Sequence, residues 1–581
     1  MKRLLAIFFL LVLCKGTLLG AYRISFEGAV SSTLLTTIKS VSRLETEKNS
    51  PPPTFFILKK WGESDKQNLI QVLHAYGFFE GDIDIEYLGE FPDVLVSVQI
   101  KRGPQYYFDS LSICDEQNMP ISLSPSSLDL KVGCPALSEV ILNTEDQILE
   151  QLACCGYPLA ALANREVVVD QATKRVSVTY SVSRGPLAYF GPVIIEGTKA
   201  VKDCVIYRHI YWKEGELFNP NKVACTDASL IESGLFSIIT VAPADQVDER
   251  GNLPMLIRVE EKQYRHIGAG VSYSTDESVG AMFQWGDENL TGFGDALSFI
   301  GEYSEVIKRG TLLYAIPNFF SRNQDLLHSL EVRREDTPGF TEREFSFLSR
   351  INRKVNDFFS FNYGVRYERL INTKAEDPDN YHLLNLPVQL LWDTSNRLLN
   401  PTSGTTILYF FTPYQAFINS NISFLKQEAL LATYQSITRG SGVIFAFSAQ
   451  VGSIVGQHLL TIPASKRFYA GSSTGLRGYK YLTVSPLIGT KPIGGRSLMI
   501  FQIEPRVRVW NKLYLAGFYD FGNVYATSFP NFSEKLLTSI GCGFRYLTAV
   551  GPFRVDIAFP LNKRKGIDKS FQIYASIGQT F

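Results

Sequence analysis

Ser497-Leu498-Met499-Ile500-Phe501-Gln502-Ile503-Glu504-Pro505-Arg506-Val507-Arg508-Val509-Trp510 is a run with a period of two. Its odd positions hold Met499, Phe501, Ile503, Pro505, Val507 and Val509, and its even positions include Gln502, Glu504, Arg506 and Arg508. Successive side chains of a strand point to opposite faces, so this strand is apolar on one flank and charged on the other. The alternation returns at the C-terminus, where Phe571, Ile573, Ala575, Ile577 and Phe581 interleave with Gln572, Tyr574, Ser576, Gly578 and Thr580. Such strands suit a closed barrel with hydrocarbon outside and water inside. From Tyr264 onward helical periodicity is lost and alternating runs recur, as at 267–273, 296–303, 358–367 and 553–559. Residues 264–581 are therefore expected to form an all-β transmembrane barrel of about 16 antiparallel strands, an even number as such barrels favour.

The bulk composition fits this reading. The chain has 581 residues, 45% hydrophobic and 13% aromatic, with 44 glycines and with 57 basic residues against 57 acidic. No mature segment offers a long unbroken apolar run, so spanning helices are not expected. Balanced charge gives no electrostatic footprint for nucleic acid. Lys2 and Arg3 precede an apolar run from Leu4 to Leu13, and Gly20-Ala21 offers small residues for cleavage, so residues 1–20 read as a signal peptide. Lipidation at Cys14 is the weaker reading. The cysteines beyond it are Cys114, Cys134, Cys154, Cys155, Cys204, Cys225 and Cys542. Export permits disulfides, and Cys114–Cys134 and Cys204–Cys225 are two candidate local bridges, with reduced thiols as the alternative. Cys542 falls on the apolar flank of its strand. The spacings do not resemble a zinc site, and no metal or cofactor is expected.

The first half contains a repeat. Lys101-Arg102-Gly103-Pro104, followed by Tyr106, Tyr107 and Phe108, returns as Ser183-Arg184-Gly185-Pro186, followed by Tyr189 and Phe190. An alternating strand precedes each, at 94–100 and 176–182, and a third such strand runs over 255–259. Inside each unit a helix-period segment ends at a glycine before an aromatic or apolar pair: Gly77-Phe78-Phe79, Gly156-Tyr157-Pro158 and Gly234-Leu235-Phe236. Glycine there ends a helix in the left-handed conformation. Each unit reads as strand, two helices, two strands, giving α+β units at 21–103, 104–187 and 188–263.

The sharpest motif is Gly475-Leu476-Arg477-Gly478-Tyr479, inside a long glycine-rich connection. Downstream, Phe518-Tyr519-Asp520-Phe521-Gly522 lies on a strand whose Leu513, Leu515 and Tyr519 share one face, which puts Asp520 on the other. Glu504 and Asp520 are thus expected to face the lumen from neighbouring strands, where the planar fork of Arg477 can bind both. Arg554 and Asp556 fall on the same side. Gly471-Ser472-Ser473-Thr474-Gly475 also matches Gly-x-Ser-x-Gly, but a nucleophile elbow needs a strand, a turn and then a helix, and here another loop and a strand follow. An enzyme is not expected.

The three tandem units resemble POTRA domains, and the loop motif with its acidic partners resembles the superfamily of outer-membrane assembly barrels that includes BamA, TamA and the two-partner secretion transporters. Trp392-Asp393-Thr394-Ser395-Asn396-Arg397, with Pro401 and Gly404, resembles a turn signature of that family, and Asn289-Leu290-Thr291-Gly292-Phe293-Gly294 another. The resemblance implies an outer-membrane location in a diderm bacterium, with the POTRA units in the periplasm. It also implies a sixth extracellular loop, carrying Arg477, that tucks into the barrel. Three units before the barrel resemble the TamA branch. That branch implies a TamB-like, inner-membrane-anchored periplasmic partner and client outer-membrane proteins such as autotransporters, handled in contact with the lipid bilayer. A two-partner-secretion transporter for one soluble protein and a BamA-like general insertase are the alternatives. Glycine weakens a strand, so a lateral gate is expected between Ile267, Gly268, Ala269 and Gly270 of the first barrel strand and Gly578 and Phe581 of the last, the alternative being glycines that only relieve crowding in a small lumen.

Overall fold

The computed structural model describes residues 22–28, 31–50, 52–91, 93–124, 127–274, 278–372, 380–397, 400–418, 421–438, 440, 442–548 and 551–577. The expected signal peptide, Gly578 and Phe581 lie outside these residues.

The first unit is built of β1 (Arg23–Glu27), α1 (Ser32–Val41), α2 (Arg43–Thr46), α3 (Phe55–Ala75), β2 (Asp82–Leu88) and β3 (Leu95–Lys101). Its sheet has the order β1-β3-β2, with β1 parallel and β2 antiparallel to β3. The central strand alternates as its sequence requires, and Val96, Val98 and Ile100 pack beneath Leu58, Leu69 and Leu73 of α3 in one buried core. Buried Asp65 ties the helices together, because its carboxylate accepts from Ser42 Oγ at 2.7 Å and from the Arg43 and Leu44 amides at 3.0 and 2.9 Å. These are the orphan donors that every helix N-terminus presents.

The second unit holds β4 (Tyr107–Asp115), α4 (Ser138–Cys154), β5 (Ala161–Asp170) and β6 (Arg175–Ser183) in the order β4-β6-β5. One α-helix rather than the expected two is present among its described residues. The stretch between β4 and α4 carries Pro120 and Pro135, each engaged in an isolated bridge to β4, and proline suits such extended positions better than a helix interior. The third unit holds β7 (Tyr189–Glu196), α5 (Asp203–His209), α6 (Pro220–Ser233), β8 (Phe236–Pro243) and β9 (Asn252–Glu261), in the order β7-β9-β8.

The repeated glycines carry the geometry that the repeat implies. Gly77, Gly156 and Gly234 have φ of +81°, +92° and +67° after their helices. Gly103 and Gly185 both have φ of +66°. The first two helix-ending glycines also join units: the Gly77 carbonyl accepts from the Tyr106 amide and the Gly156 carbonyl from the Ala188 amide, both at 2.9 Å. By compactness the chain falls into two units whose division runs through the third repeat.

The barrel sheet runs β10 (Arg265–Ser274), β11 (Ser278–Asp287), β12 (Ala296–Tyr303), β13 (Ile307–Ile316), β14 (Gln324–Asp336), β15 (Thr341–Lys354), β16 (Phe359–Asn372), β17 (Asn380–Asn385), β18 (Val388–Asp393), β19 (Gly404–Ile418), β20 (Ser423–Ser436), β21 (Val443–Val455), β24 (Ser497–Trp510), β25 (Leu513–Tyr525), β26 (Leu537–Thr548), β27 (Gly551–Pro560) and β28 (Gln572–Ile577). The short pieces β22 (Leu487–Ile488) and β23 (Lys491–Pro492) form a separate pair within the long connection. Both β17 and β18 pair with β16 on one side and β19 on the other, so they are two halves of one strand broken at Leu386-Pro387. Proline has no N–H for the ladder. Counted this way the barrel sheet has 16 strands among the described residues.

Sidedness follows parity. On β24, Phe501, Ile503 and Val507 face outward, while Gln502, Glu504 and Arg506 are buried in the interior. No helix of the described residues is long and apolar enough to cross a membrane.

All seven described cysteines are free, so neither Cys114–Cys134 nor Cys204–Cys225 is bridged. Cys114 is buried beside the Tyr180 carbonyl, whereas Cys134, Cys154, Cys155, Cys204 and Cys225 are exposed. A water-soluble maleimide applied to the folded, non-reduced protein in detergent is expected to label these five and spare Cys114. Labelling that requires prior reduction would mean that the thiols are paired.

Candidate functional site

Residues 456–496, which join β21 to β24, carry the Arg477 motif into the barrel interior. Arg477 has no exposed surface. Its Nε and Nη2 donate to Asp520 Oδ2 and Oδ1, each at 2.7 Å, in the bidentate fork that suits a guanidinium. Nη1 donates to Glu504 Oε2 at 2.7 Å, and the Arg477 amide reaches Asp520 Oδ2 at 3.2 Å. The guanidinium carbon stands 3.5 Å from the ring centroid of Phe518, a close cation–π contact. Arg477, Glu504 and Asp520 are thus in direct contact, with the two carboxylates on the inward parity of β24 and β25.

The cluster is larger than that triad. Arg545 on β26 donates through Nη2 to both oxygens of Glu504 at 3.1 Å, and it pairs with Asp556 on β27. Arg506 Nε donates to Glu504 Oε1 at 2.9 Å, and Arg554 Nε lies 3.8 Å from Asp556 Oδ2. Four guanidinium groups therefore share three carboxylates across β24–β27, all buried. Two glycines on β26 make the space. A Cβ on Gly541 would fall 2.2 Å from the Phe518 ring, and one on Gly543 would fall 1.9 Å from Asp556 Oδ1. Sequence reasoning missed Arg545, Phe518 and these glycines. Parity was the available signal, since an outward Cys542 turns residues 541, 543 and 545 inward.

The rest of the motif reaches the last strand. Tyr574 Oη on β28 accepts from the Gly478 amide at 2.9 Å and donates to the Tyr479 carbonyl at 3.2 Å, while Tyr479 Oη donates to the Thr538 carbonyl at 2.9 Å. Gly478 has φ of +89°, and a Cβ there would sit 3.2 Å from both Pro560 N and Ser539 Cβ. Leu476 is fully buried in the apolar cluster under the loop, and Gly475 donates its amide to Ser472 Oγ at 2.9 Å. A second anchor lies on β15 and β16. Lys466 Nζ is 2.8 Å from Glu368 Oε2, and Ser465 Oγ donates to Glu342 Oε2 at 2.6 Å. The loop is therefore held at two places, by charge in both. Ser473 sits in irregular chain with no helix after it, so the Gly-x-Ser-x-Gly match builds no nucleophile elbow.

At the expected gate, β10 pairs in full with β11, and β28 pairs with β27. Among the described residues no ladder joins β10 to β28, although the two strands lie side by side. Ile267 and Ala269 belong to β10. A Cβ on Gly268 or Gly270 would find ordinary contacts of 3.7 and 3.8 Å, so neither glycine is there to relieve crowding.

The Omp85 superfamily domain matches residues 289–581, and the POTRA family of surface-antigen variable-number repeats matches residues 188–262. The outer membrane protein assembly factor BamA of Nitratidesulfovibrio vulgaris is 23% identical over 518 residues, covering 84% of this chain and 64% of its own length. BamA of Neorickettsia risticii is 21% identical over 541 residues, covering 87% of this chain and 70% of its own length. This chain thus spans a little under two thirds of the first of these relatives. The crystal structure of BamA from Haemophilus ducreyi lacking POTRA domains 1–3 shares the fold, with a TM-score of 0.72 at 16% identity over 81% of this chain and 100% of that one.

Removing one member of a buried, hydrogen-bonded ion cluster leaves charges without partners, at a cost of about 3–5 kcal/mol. Arg477→Ala is expected to lower the temperature at which the barrel loses its compact, heat-modifiable gel mobility. Gly478→Val should act in the same direction through backbone strain. An unchanged transition in Arg477→Ala would mean that the cluster does not hold the loop.

Proposed function

The chain belongs to the Omp85 superfamily, a barrel in the outer membrane with POTRA units in the periplasm, and from that premise we propose that it assembles client β-barrel proteins by lending them a strand edge. An open sheet edge in hydrocarbon leaves peptide groups without partners, which is the main obstacle to inserting a barrel. An edge already present in the catalyst can pair with the incoming strand. The observation that carries this reading is the seam between β10 and β28, unzipped among the described residues and set beside a wall that the Arg477 cluster clamps. The clamp keeps β24–β27 in register while the seam exchanges partners, and Gly268 and Gly270 leave room for a second backbone to approach.

Within the family, three POTRA units favour a TamA-type factor that works on autotransporters with a TamB-like periplasmic partner. A BamA-like general insertase is the second reading, favoured by the name that both relatives carry. Depletion followed by an inventory of outer-membrane proteins separates them. Selective loss of autotransporters supports the first reading, and loss across all barrels supports the second.

The seam is tested directly in a variant with its native cysteines replaced. Cysteine pairs are then placed with one member at 267–270 and the other at 573–575. Oxidation is expected to stop client assembly and reduction to restore it. Client assembly at the full rate with the seam locked rules out strand lending.

A further inference from the structure

We propose that a cavity in the barrel lumen, at the break between β17 and β18, is a binding site for an oxyanion of the phosphate class. The cavity has a volume of about 270 Å³ and is lined by Arg350 of β15, Arg366 of β16, Asn385 of β17, and Lys426 and Glu428 of β20. It exists because the strand stops there. Asn385 ends β17, Pro387 lines the cavity without an N–H to offer, and the break is bridged by the Gly364 amide, which donates to the Pro387 carbonyl at 3.1 Å, and by the Leu386 amide, which donates to the Pro413 carbonyl at 3.2 Å.

Its polar groups are left wanting a ligand. Asn385 is 1% exposed, yet among the described residues neither its Oδ1 nor its Nδ2 has a hydrogen-bond partner, and Nε of Arg350 and Nε of Arg366 have none there either. Buried polar groups are nearly always satisfied, so a cluster of orphans around one space marks something that fills it. The charges say what kind of group that is. Three cations face a single carboxylate, and Glu428 is already occupied in accepting from Gln450 Nε2 at 2.6 Å. Among the described residues Lys426 makes no ion pair, and its ammonium rests 4.6 Å from the ring centroid of Phe468. Arg366 reaches Glu368 at 3.4 Å, but that carboxylate is held more closely by Lys466. Arg350 and Arg366 are also diagonal neighbours on adjacent strands, with only Gly364 opposite Arg350. Like charges so placed repel unless an anion lies between them. Planar guanidinium forks and an ammonium match the several oxygens of a phosphate, and the Asn385 carbonyl can accept its remaining proton or a bound water. Inorganic phosphate and a phospholipid headgroup share this chemistry.

The site goes beyond the proposed assembly role, and its test needs no client. Full-length protein in a neutral maltoside detergent is dialysed to equilibrium against radiolabelled inorganic phosphate at fixed ionic strength. In a second arm, dihexanoyl phosphatidic acid competes against zwitterionic dihexanoyl phosphatidylcholine. We expect saturable binding of one phosphate per chain, lost in the double variant Arg350→Gln, Lys426→Gln and kept in Arg508→Gln, whose arginine lies outside the cavity. Binding of the lipid phosphate alone would assign the site to a headgroup. Asn385→Asp guards against loss through misfolding, because it supplies the cavity with its own anion. That variant should keep its heat-modifiable mobility in phosphate-free buffer while losing phosphate binding. Absence of saturable binding in both arms, or undiminished binding in the double variant or in Asn385→Asp, overturns the proposal.

Discussion

A guanidinium with no exposed surface, gripped by carboxylates from two strands, is the constraint on which the rest of the barrel interior depends. Arg477 belongs to a loop that would otherwise be free to leave the lumen. Its fork on Asp520 and its bond to Glu504 fix that loop against β24 and β25. Through Arg545 the Glu504 carboxylate is linked to β26 and to Asp556 on β27, and through Gly478 and Tyr479 the motif reaches Tyr574 on β28. One buried charge cluster thus braces the final strands of the sheet from within. Desolvating so many charges is expensive, and the arrangement is tolerable because nearly every carboxylate oxygen meets a guanidinium.

That brace contrasts with the seam. Each inner strand of the sheet has two neighbours to satisfy its amides, whereas β10 and β28 each have one ladder among the described residues. The protein therefore places a buried, multiply bonded charge cluster next to a join that has no ladder among the described residues. Lys466 on Glu368 adds a second fastening, so the loop is tied to β16 as well as to the β24–β28 wall. Of the two seam strands the loop holds β28, through Tyr574, so movement of β10 away from β28 leaves these fastenings in place.

Much of this was legible in the sequence because strand parity is a strict rule. The alternation of Ser497–Trp510 placed Glu504 and Arg506 inward, that of Leu513–Tyr525 placed Asp520 inward, and the length of the region, at about 20 residues per strand and connection, set the expected number of strands. The break in one strand was less visible, since Pro387 shows its effect only when both neighbouring strands are known. The second POTRA-like unit lost a helix to Pro120 and Pro135, residues that a repeat-based reading overrode. The partners of the cluster were harder still. Which residue of β26 stands beside Glu504 depends on a register set over tens of residues, and the meeting of Lys466 with Glu368 depends on the path of an irregular loop. Neither quantity is written in local periodicity. The free thiols illustrate the same limit, because similar spacings of Cys114–Cys134 and Cys204–Cys225 say nothing about whether the side chains meet.

The most direct measurement is amide hydrogen exchange of the full-length protein in lipid nanodiscs, read peptide by peptide across the barrel. A strand with one ladder leaves alternate amides without a partner. About half of the amides in Arg265–Ser274 and Gln572–Ile577 should therefore exchange rapidly while Ser497–Trp510 and Leu513–Tyr525 stay protected. Protection of the two seam strands equal to that of Ser497–Trp510 would contradict the account.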